Sequence, residues 1–285
     1  MRVEDALLEQ KRAVDQELHR LLSGRESLLF QAMRHAVHSG GKRYRPLLLL
    51  SAGESLAAER DILLPFACAV ELIHCYSLVH DDLPAMDNDE FRRGQPACHK
   101  AYGEDVALLA GDALLTLAFE VMASAPLPGT LVEHRAEVMA EVSRWAGAQG
   151  MIEGQVLDIK LKPEQTAEDK LLDIIFKKTG GLIIASVKAG AMLGLASDSQ
   201  VQALEGFGRN VGLAFQVRDD LLDYGPGAGR RPDSRPTLVS LLGRQEAQRR
   251  LGEFVRQALE ALDRARLRTA ALEHLARLLL DQAQG

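Results

Sequence analysis

The segment from Phe66 to Val79 restricts the fold of this chain more than any other, because it is apolar on nearly every face. A helix that is hydrophobic all round has to be covered on all sides by other elements. The segment carries Glu71 and His74, and no run of apolar residues approaches the 18 that indicate a membrane span. The sequence therefore predicts a central, buried helix in a soluble protein without a membrane span.

The remainder of the chain shows helical periodicity that would supply this cover. Apolar side chains recur at a period close to 3.6 residues over residues 3–22. The same period recurs in five further segments, which are 104–123, 130–150, 168–195, 199–223 and 245–282. Aromatic residues make up only 5% of the chain against 47% for all hydrophobic residues, a balance that favours closely packed helices over β-sandwiches. With no internal repeat and no long linker, we predict a single all-α domain over residues 1–285.

Charge and cysteine content narrow the possible functions. The formal net charge is −6, from 34 basic and 40 acidic residues, whereas general nucleic-acid binding requires a basic surface. The three cysteines, Cys68, Cys75 and Cys98, form no CxxC pair, which is typical of a chain with reduced, structural thiols. The first residues mix acids and bases and contain no apolar signal region. We therefore expect a cytoplasmic protein that binds no nucleic acid.

The predicted central helix runs directly into a group of carboxylates that begins with Asp81 and Asp82. Two adjacent carboxylates at the end of a buried helix are costly unless they are paired or bind a ligand. A solvated acidic loop is the alternative interpretation, and the abrupt change to Arg92 and Arg93 argues against it. An EF-hand is excluded, because a loop that starts at Asp87 would place Arg92 at its glycine position. The sequence therefore predicts a ligand at this end of the helix.

A second group of carboxylates lies on the segment 212–223, where Asp219 and Asp223 are one helical turn apart. Like charges at that spacing destabilise an isolated helix, and the neighbouring residues are mostly apolar, so this row calls for a cation. We expect the two groups to form opposing walls of one site. Carboxylates without histidine or cysteine beside them suit Mg²⁺ or Mn²⁺, and Mg²⁺ usually binds one or two carboxylates together with substrate phosphates. The substrate should therefore carry a diphosphate.

A possible metal-free site for a second anion begins at Gly40. Three cations, Lys42, Arg43 and Arg45, precede Pro46, a residue that suits the first turn of a helix. A solvated basic turn is the alternative interpretation of this stretch alone. Three further groups could complete a pocket, namely His74, Arg92 and Arg93. With these partners, a diphosphate pocket is the better prediction.

Four stretches carry a resemblance to a known family: GGKRYRP at 40–46, residues 71–120 around HDDLPAMD, KKTGGLI at 177–183 and GLAFQVRDDLLD at 212–223. In this order they resemble the motifs of short-chain trans-isoprenyl diphosphate synthases of the bacterial farnesyl diphosphate synthase type. The resemblance implies the all-α isoprenoid synthase fold, a helical bundle around a deep central cavity, usually as a homodimer. It also implies three Mg²⁺ ions, or Mn²⁺ in their place, and two substrates, isopentenyl diphosphate and an allylic diphosphate.

The matched motifs also imply a role for each candidate residue. Those implied as primary metal ligands are Asp81, Asp87 and Asp219. Those implied as ligands through water or as supporting acceptors are Asp82, Asp220 and Asp223. Those implied to contact the allylic diphosphate or face the carbocation are Arg92, Lys178, Thr179 and Gln216. Those implied to hold isopentenyl diphosphate are Gly41, Lys42, Arg45, His74 and Arg93.

Product length depends, in this resemblance, on the residue that closes the cavity below Asp81. Tyr76 lies five residues earlier, about 7.5 Å along a helix, and resembles the floor of farnesyl-type enzymes, while Ser77 beside it is small. An ordinary core tyrosine is an equally natural interpretation. Our hypothesis is that Tyr76 stops growth at fifteen carbons, so that dimethylallyl or geranyl diphosphate is elongated to farnesyl diphosphate. Geranyl and geranylgeranyl diphosphate remain alternative products.

The stretch from Tyr224 to Pro236 departs from the family pattern. It contains no lysine, although the family places there a lysine that contacts the allylic diphosphate. Three arginines could substitute, although arginine prefers bidentate contacts, and these are Arg230, Arg231 and Arg235. The glycine-rich run 225–229 lacks the GK[ST] ending of a P-loop, and we expect it to act as a flap. The departure affects the expected binding of the allylic substrate.

Two other functions compete with that of a synthase. A non-catalytic regulatory homologue would have lost its aspartates, yet both groups are intact. A cyclase or hydrolase that only ionises a prenyl diphosphate would not need the GGKRYRP stretch. The sequence therefore favours a synthase over both alternatives.

Overall fold

The computed structural model describes residues 2–161, 166–223 and 236–281, and within these the chain is helical almost throughout. The helices are α1 (Val3–Leu22), α2 (Leu28–His38), α3 (Tyr44–Glu54), α4 (Arg60–Asp81), α5 (Cys98–Tyr102), α6 (Glu104–Ser124), α7 (Gly129–Val132), α8 (His134–Ala146), α9 (Met151–Lys160), α10 (Glu168–Ile175), α11 (Gly181–Leu193), α12 (Asp198–Asp223), α13 (Leu238–Leu242), α14 (Arg244–Ala265) and α15 (Ala270–Asp281). A π-helical turn, Phe176–Gly180, joins α10 to α11. The described strands are β1 (Phe91–Arg92) and β2 (Gln95–Pro96), an antiparallel pair. The predicted all-α class is confirmed.

The chain divides into two compact units. The first unit comprises Met1–Leu50 and Glu59–Met139, and the second comprises Ser51–Ala58 and Ala140–Gly285. The single domain and the central cavity expected from the sequence stay predictions. The expected flap and the three arginines within 224–235 lie outside the described residues.

The central helix of the first unit is α4, as the apolar segment predicts. Its Phe66, Leu72 and Ile73 are fully buried, and α6 packs along it. Both helices are long and apolar enough to cross a membrane by length and composition alone, a test that core helices of soluble proteins also pass. In α4, 67% of the most apolar stretch is buried inside the protein, so core packing explains its hydrophobicity. The absence of a membrane span stays a prediction.

Helices α11, α12 and α14 form the centre of the second unit. Nearly every residue of α11 is buried, and α12 packs against both α11 and α14. Glycine allows the first of these contacts, because a Cβ atom at Gly208 on α12 would lie only 3.2 Å from the Cα atom of Ile184 on α11. Since α12 ends at Asp223, the second group of carboxylates lies on its last two turns.

Candidate active site

The first group of carboxylates lies at the end of α4, where the chain turns back on itself. The backbone N–H of Asp87 donates a hydrogen bond of 2.9 Å to the carbonyl oxygen of Asp81, the last residue of the helix. This bond holds both predicted metal ligands on one turn of the chain. Both residues are half-buried.

Asp82 has a different environment from its neighbour, because only 2% of its surface is exposed. The Nε atom of Arg92, on β1, donates to the Asp82 carboxylate at 2.9 Å, and the same guanidinium also bonds Asp89 at 2.9 Å. Burial raises the pKa of the Asp82 carboxyl, and the hydrogen bond and charge of Arg92 oppose this rise. Asp82 thus acts as the counter-ion of Arg92 here, and its part in metal binding stays a prediction.

The predicted anion pocket is assembled around two glycines, Gly40 and Gly41, with φ angles of +95° and +145°. The guanidinium of Arg93 donates to the carbonyl oxygen of Gly40 and fills the space beside Gly41. A Cβ atom at Gly41 would lie 2.7 Å from Nη1 of Arg93, so a larger residue would displace the arginine. The β-hairpin therefore brings Arg93 onto the GGKRYRP turn, as the sequence-predicted pocket requires.

His74, on α4, lies among the cations of this pocket. Burial lowers its pKa well below the ordinary histidine value, and the next causes in order are the charges of Arg45, Arg93, Arg43 and Arg92. The imidazole is therefore neutral at pH 7, and the arginines supply the positive charge. Four residues predicted to hold isopentenyl diphosphate belong to the same turn or face it, namely Gly41, Arg45, His74 and Arg93. Lys42 is exposed on the same turn.

The position of Arg43 contradicts the prediction that all three cations of the GGKRYRP turn face an anion. Its side chain is 3% exposed and points into the first unit, where it bonds Asp15 and Glu71 at 2.7 Å each. A third bond of 2.8 Å joins it to the carbonyl oxygen of Val37. Arg43 therefore anchors the turn to α1, α2 and α4, while Lys42 supplies its outward charge. The sequence signal for this anchor was Glu71, a carboxylate within the apolar segment that needs a buried partner.

In the second unit the residues KKTG lie on the π-helical turn Phe176–Gly180, a conformation that is frequent at functional sites. Two glycines bring neighbouring helices against its backbone. A Cβ atom at Gly154 on α9 would lie 2.7 Å from the Cα atom of Lys178, and one at Gly212 on α12 would lie 2.6 Å from the Cα atom of Gly180. The turn is therefore held by direct contact of backbones.

The side chains of the π-helical turn are oriented by hydrogen bonds. Lys178 donates to the Asp158 carboxylate at 2.6 Å, and the Thr179 hydroxyl donates to the Gln216 amide oxygen at 2.8 Å. The amide nitrogen of Gln216 in turn donates to Asp220 at 3.0 Å. Three predicted residues are thus connected in one chain of bonds. Asp158 was missed by the sequence reasoning, because a carboxylate 20 residues before a lysine has no recognisable spacing.

The second group of carboxylates has its own counter-ion. Arg218 is 3% exposed, stacks over the Phe215 ring at 4.3 Å and donates from Nε to the Asp219 carboxylate at 3.0 Å. Asp219 is half-buried and Asp223 is exposed, whereas Asp220 is buried. Sequence reasoning missed Arg218, although it directly precedes the aspartates. That the two carboxylate groups are opposing walls of one site stays a prediction.

The chain matches a known family over most of its length. A family model for polyprenyl synthetases matches residues 26–228. The chain belongs to the polyprenyl synthetase family. It is 39% identical to the farnesyl diphosphate synthase of Geobacillus stearothermophilus over 97% of both chains. It is 40% identical to the chloroplastic geranylgeranyl pyrophosphate synthase of Capsicum annuum, over 86% of this chain and 68% of that one.

The fold of this polyprenyl synthetase is shared with solved structures. The crystal structure of an FPP/GFPP synthase from Zymomonas mobilis matches it with a TM-score of 0.88 at 32% identity, covering 98% of each chain. The predicted isoprenoid synthase fold is therefore confirmed, and the protein is a trans-prenyltransferase.

The carboxylates of this synthetase fit a divalent ion that shares its ligands with substrate and water. Within the described part of the chain, no three or more His, Cys, Asp or Glu side chains are grouped closely enough to hold a metal ion. Mg²⁺ needs no such cage, because it usually retains several waters and takes one or two carboxylates plus phosphate oxygens. Asp81 and Asp87, which a backbone hydrogen bond holds on one turn of the first unit, match that requirement, and a contribution of Asp219 stays a prediction.

The predicted floor residue of the synthetase, Tyr76, is buried on α4 with 5% of its surface exposed. Burial and, next, the negative charge of Asp81 raise the pKa of the Tyr76 phenol to about 12. The phenol is therefore neutral and lies close enough to Asp81 to sense its charge. Ser77 turns its hydroxyl back to the His74 carbonyl oxygen at 2.9 Å. A bulky ring thus lies below the carboxylate end of α4.

Proposed function

We propose that this trans-prenyltransferase is a cytoplasmic, Mg²⁺-dependent farnesyl diphosphate synthase. It would join isopentenyl diphosphate to dimethylallyl diphosphate and then to geranyl diphosphate. The buried ring of Tyr76 below Asp81 carries this choice of product, because it limits the depth available to a growing chain. The near full-length similarity to a farnesyl diphosphate synthase supports it, although a geranylgeranyl relative is equally similar over a shorter span.

The cationic GGKRYRP turn of the first unit would bind isopentenyl diphosphate. Lys42, Arg45 and Arg93 supply positive charge without a metal, and neutral His74 can donate or accept a hydrogen bond. Arg43 contributes by holding the backbone of the turn, since its own charge is balanced by Glu71 and Asp15. A pocket that is charged before substrate arrives binds the diphosphate with little reorganisation.

The allylic substrate would be ionised between the carboxylates and the cations beside them. The C–O bond breaks and its electron pair leaves with the diphosphate, whose charge Lys178 and Arg92 stabilise. Bound Mg²⁺ would supply further positive charge for this leaving group at the carboxylates of Asp81, Asp87 and Asp219. The oxygens of Thr179 and Gln216, fixed by their mutual hydrogen bond, are dipoles suited to the carbocation.

Coupling follows from the π electrons of isopentenyl diphosphate, which attack the allylic carbon and form the new C–C bond. The resulting cation loses a proton from the neighbouring carbon, and that electron pair becomes the new double bond. The released diphosphate takes the proton. No side chain of the described site therefore has to serve as the general base.

A homodimer is part of the proposal. Only 39% of the most apolar stretch of α6 is buried, and Leu108 and Leu109 are 47% and 58% exposed on it. An apolar helix face of this kind suits a second copy of the same chain. Light scattering coupled to size exclusion should give about twice the 31.2 kDa of one chain, and Leu109→Glu should shift the protein toward the monomer.

The function is tested by supplying labelled isopentenyl diphosphate with dimethylallyl or geranyl diphosphate in Mg²⁺ buffer and resolving the products by length. We expect a C15 product that disappears with EDTA and returns with Mg²⁺ or Mn²⁺. Products that stop at C10 or continue to C20 would replace the farnesyl assignment with one of the alternatives. Release of a prenyl alcohol without coupling would indicate an ionising hydrolase, and an inert protein would indicate a regulatory homologue.

A further inference from the structure

His80 immediately precedes the predicted metal ligand Asp81 at the end of α4. Its ring nitrogen Nε2 lies 2.9 Å from the carbonyl oxygen of Leu108 on α6 and 3.8 Å from the Asp112 carboxylate. Because a carbonyl oxygen can only accept, the Nε2–H group of His80 donates this hydrogen bond to the Leu108 carbonyl oxygen. This hydrogen bond fastens the end of α4 to the backbone of α6.

The imidazole of His80 lies directly against α6 at Gly111. A Cβ atom at Gly111 would overlap the ring, with 2.9 Å to its Cε1 atom and shorter separations to two other ring atoms. Glycine weakens the interior of a helix relative to alanine, so a glycine within α6 indicates a packing requirement. The requirement here is room for His80.

On α4 itself the imidazole contacts Tyr76, one helical turn earlier on the same face of the helix. The two ring centroids are 5.7 Å apart and the ring planes meet at 79°, a T-shaped pair. Tyr76 is 5% exposed, so its ring is enclosed on its other sides by the protein. His80 is therefore one of the groups that pack directly against the tyrosine ring.

We propose that His80 is a positioning residue that fixes the orientation of the Tyr76 ring and thereby sets the length of the product. The imidazole is anchored to Leu108, accommodated by Gly111 and packed edge-on against Tyr76. Loss of the imidazole frees the ring to rotate, and a growing chain can then pass it. This inference rests on the proposed function, in which Tyr76 is the floor.

Two substitutions test the contribution of the His80 ring and that of its hydrogen bond independently. His80→Gln keeps an N–H that can reach the Leu108 carbonyl but removes the ring, and His80→Phe keeps a ring without the donor. With geranyl diphosphate and excess isopentenyl diphosphate, we expect the ratio of C20 to C15 product to rise about fivefold in His80→Gln. In His80→Phe the rise should stay within about twofold.

The matched control is His134→Gln, because His134 bonds only the exposed Glu137 among its described partners. It should leave the product ratio unchanged. His80→Gln with a wild-type product ratio and an unchanged melting temperature would overturn the inference, as would a larger shift in His80→Phe than in His80→Gln. If His80→Gln does not fold, Gly111→Ala provides the second test, since the added methyl group displaces the His80 ring without removing it. The control for this variant is Gly129→Ala, because a Cβ atom at Gly129 would have no atom within 4 Å.

The Tyr76→Ala background distinguishes action through Tyr76 from a general loosening of the helix end. Adding His80→Gln to Tyr76→Ala should not change the product ratio further, because the positioned ring is gone. An equal additional shift in that background would contradict the inference. A wild-type enzyme that makes no C15 product would contradict the proposed function first, whereas wild-type C15 synthesis with no effect of His80→Gln would contradict only the role of His80.

Discussion

The two units hold their candidate diphosphate-binding residues by different means. In the first unit, buried ion pairs do this: Arg43 bonds Glu71 beneath the GGKRYRP turn, and Arg92 bonds Asp82 beside it. In the second unit the π-helical turn is held by backbone contact at Gly154 and at other glycines, and by hydrogen bonds of its side chains. A region held by charge is sensitive to loss of one partner, whereas a region held by contact is sensitive to one added methyl group.

The largest effect should follow from Arg43→Leu in the first unit. It leaves Glu71 buried at 2% side-chain exposure without its partner, and breaking a buried pair in this way costs about 3–5 kcal/mol of the free energy of unfolding. The KM for isopentenyl diphosphate should rise as well, because the turn loses its anchor. Urea unfolding and steady-state kinetics measure the two effects.

The control for Arg43→Leu is Arg256→Leu, whose pair with Glu260 is exposed on α14. Exposed pairs contribute about 0–1 kcal/mol, so this variant should unfold nearly as the wild type does. Equal destabilisation by the two substitutions would show that the buried pair does not hold the turn.

A smaller effect is expected from Gly212→Ala in the second unit. Alanine improves helix propensity by about 1 kcal/mol, but its Cβ atom would lie 2.6 Å from the Cα atom of Gly180, and overpacking of this kind costs about 1–3 kcal/mol. The neighbouring backbone cannot rotate away as a side chain could, so the balance is destabilising. The turn that carries Lys178 should shift, and kcat should fall.

Gly206→Ala on the same helix is the control for Gly212→Ala. Its Cβ atom would lie 3.5 Å from the Cβ atom of Ala261, an ordinary van der Waals contact. This variant should therefore keep full activity and gain slightly in thermal stability. A Gly212→Ala enzyme with wild-type kcat and melting temperature would remove the contrast between the units.

Asp158→Asn should lower kcat/KM for the allylic substrate by about tenfold, because Lys178 loses the ion pair that orients it. The KM for isopentenyl diphosphate should not change, since that substrate is assigned to the first unit. Asp173→Asn is the control, because Asp173 pairs at 2.8 Å with Lys177 on the same turn but is half exposed. A similar loss in both variants would indicate a general effect of charge.

The smallest effect should be the change with pH in the contribution of Asp82 to the free energy of unfolding. Its pKa is raised in the folded protein, so the folded state binds more protons than the unfolded chain just above the ordinary aspartate pKa. The contribution of Asp82 to stability is therefore full below that pKa and is lost as pH rises through the folded-state pKa. The unfolding free energy of wild type minus that of Asp82→Asn should fall as pH rises from the ordinary aspartate pKa through the raised pKa of the folded state. A difference that rises over this range would contradict the raised pKa.

Local patterns along the chain were sufficient to predict the helices and the carboxylate groups. Helical periodicity and the apolar segment 66–79 predicted α4 and its burial, because a 3.6-residue repeat determines which side chains share a face. The motifs also indicated the cationic turn and the position of Tyr76 before Asp81. Arg43, Asp158 and Arg218 were not assigned their roles, since each depends on a partner whose identity only folding reveals.

The sequence by itself determined that this protein is all-α, that its carboxylates end two largely buried helices, and that its motifs are those of a prenyl synthase. These properties follow from residue type and short-range spacing. Only the tertiary structure decided that Arg43 points inward, that the residues KKTG form a π-helical turn, and that His80 packs between Tyr76 and Gly111. The physical reason is that counter-ions and backbone contacts join residues far apart in the chain, and their pairing is set by how whole helices pack.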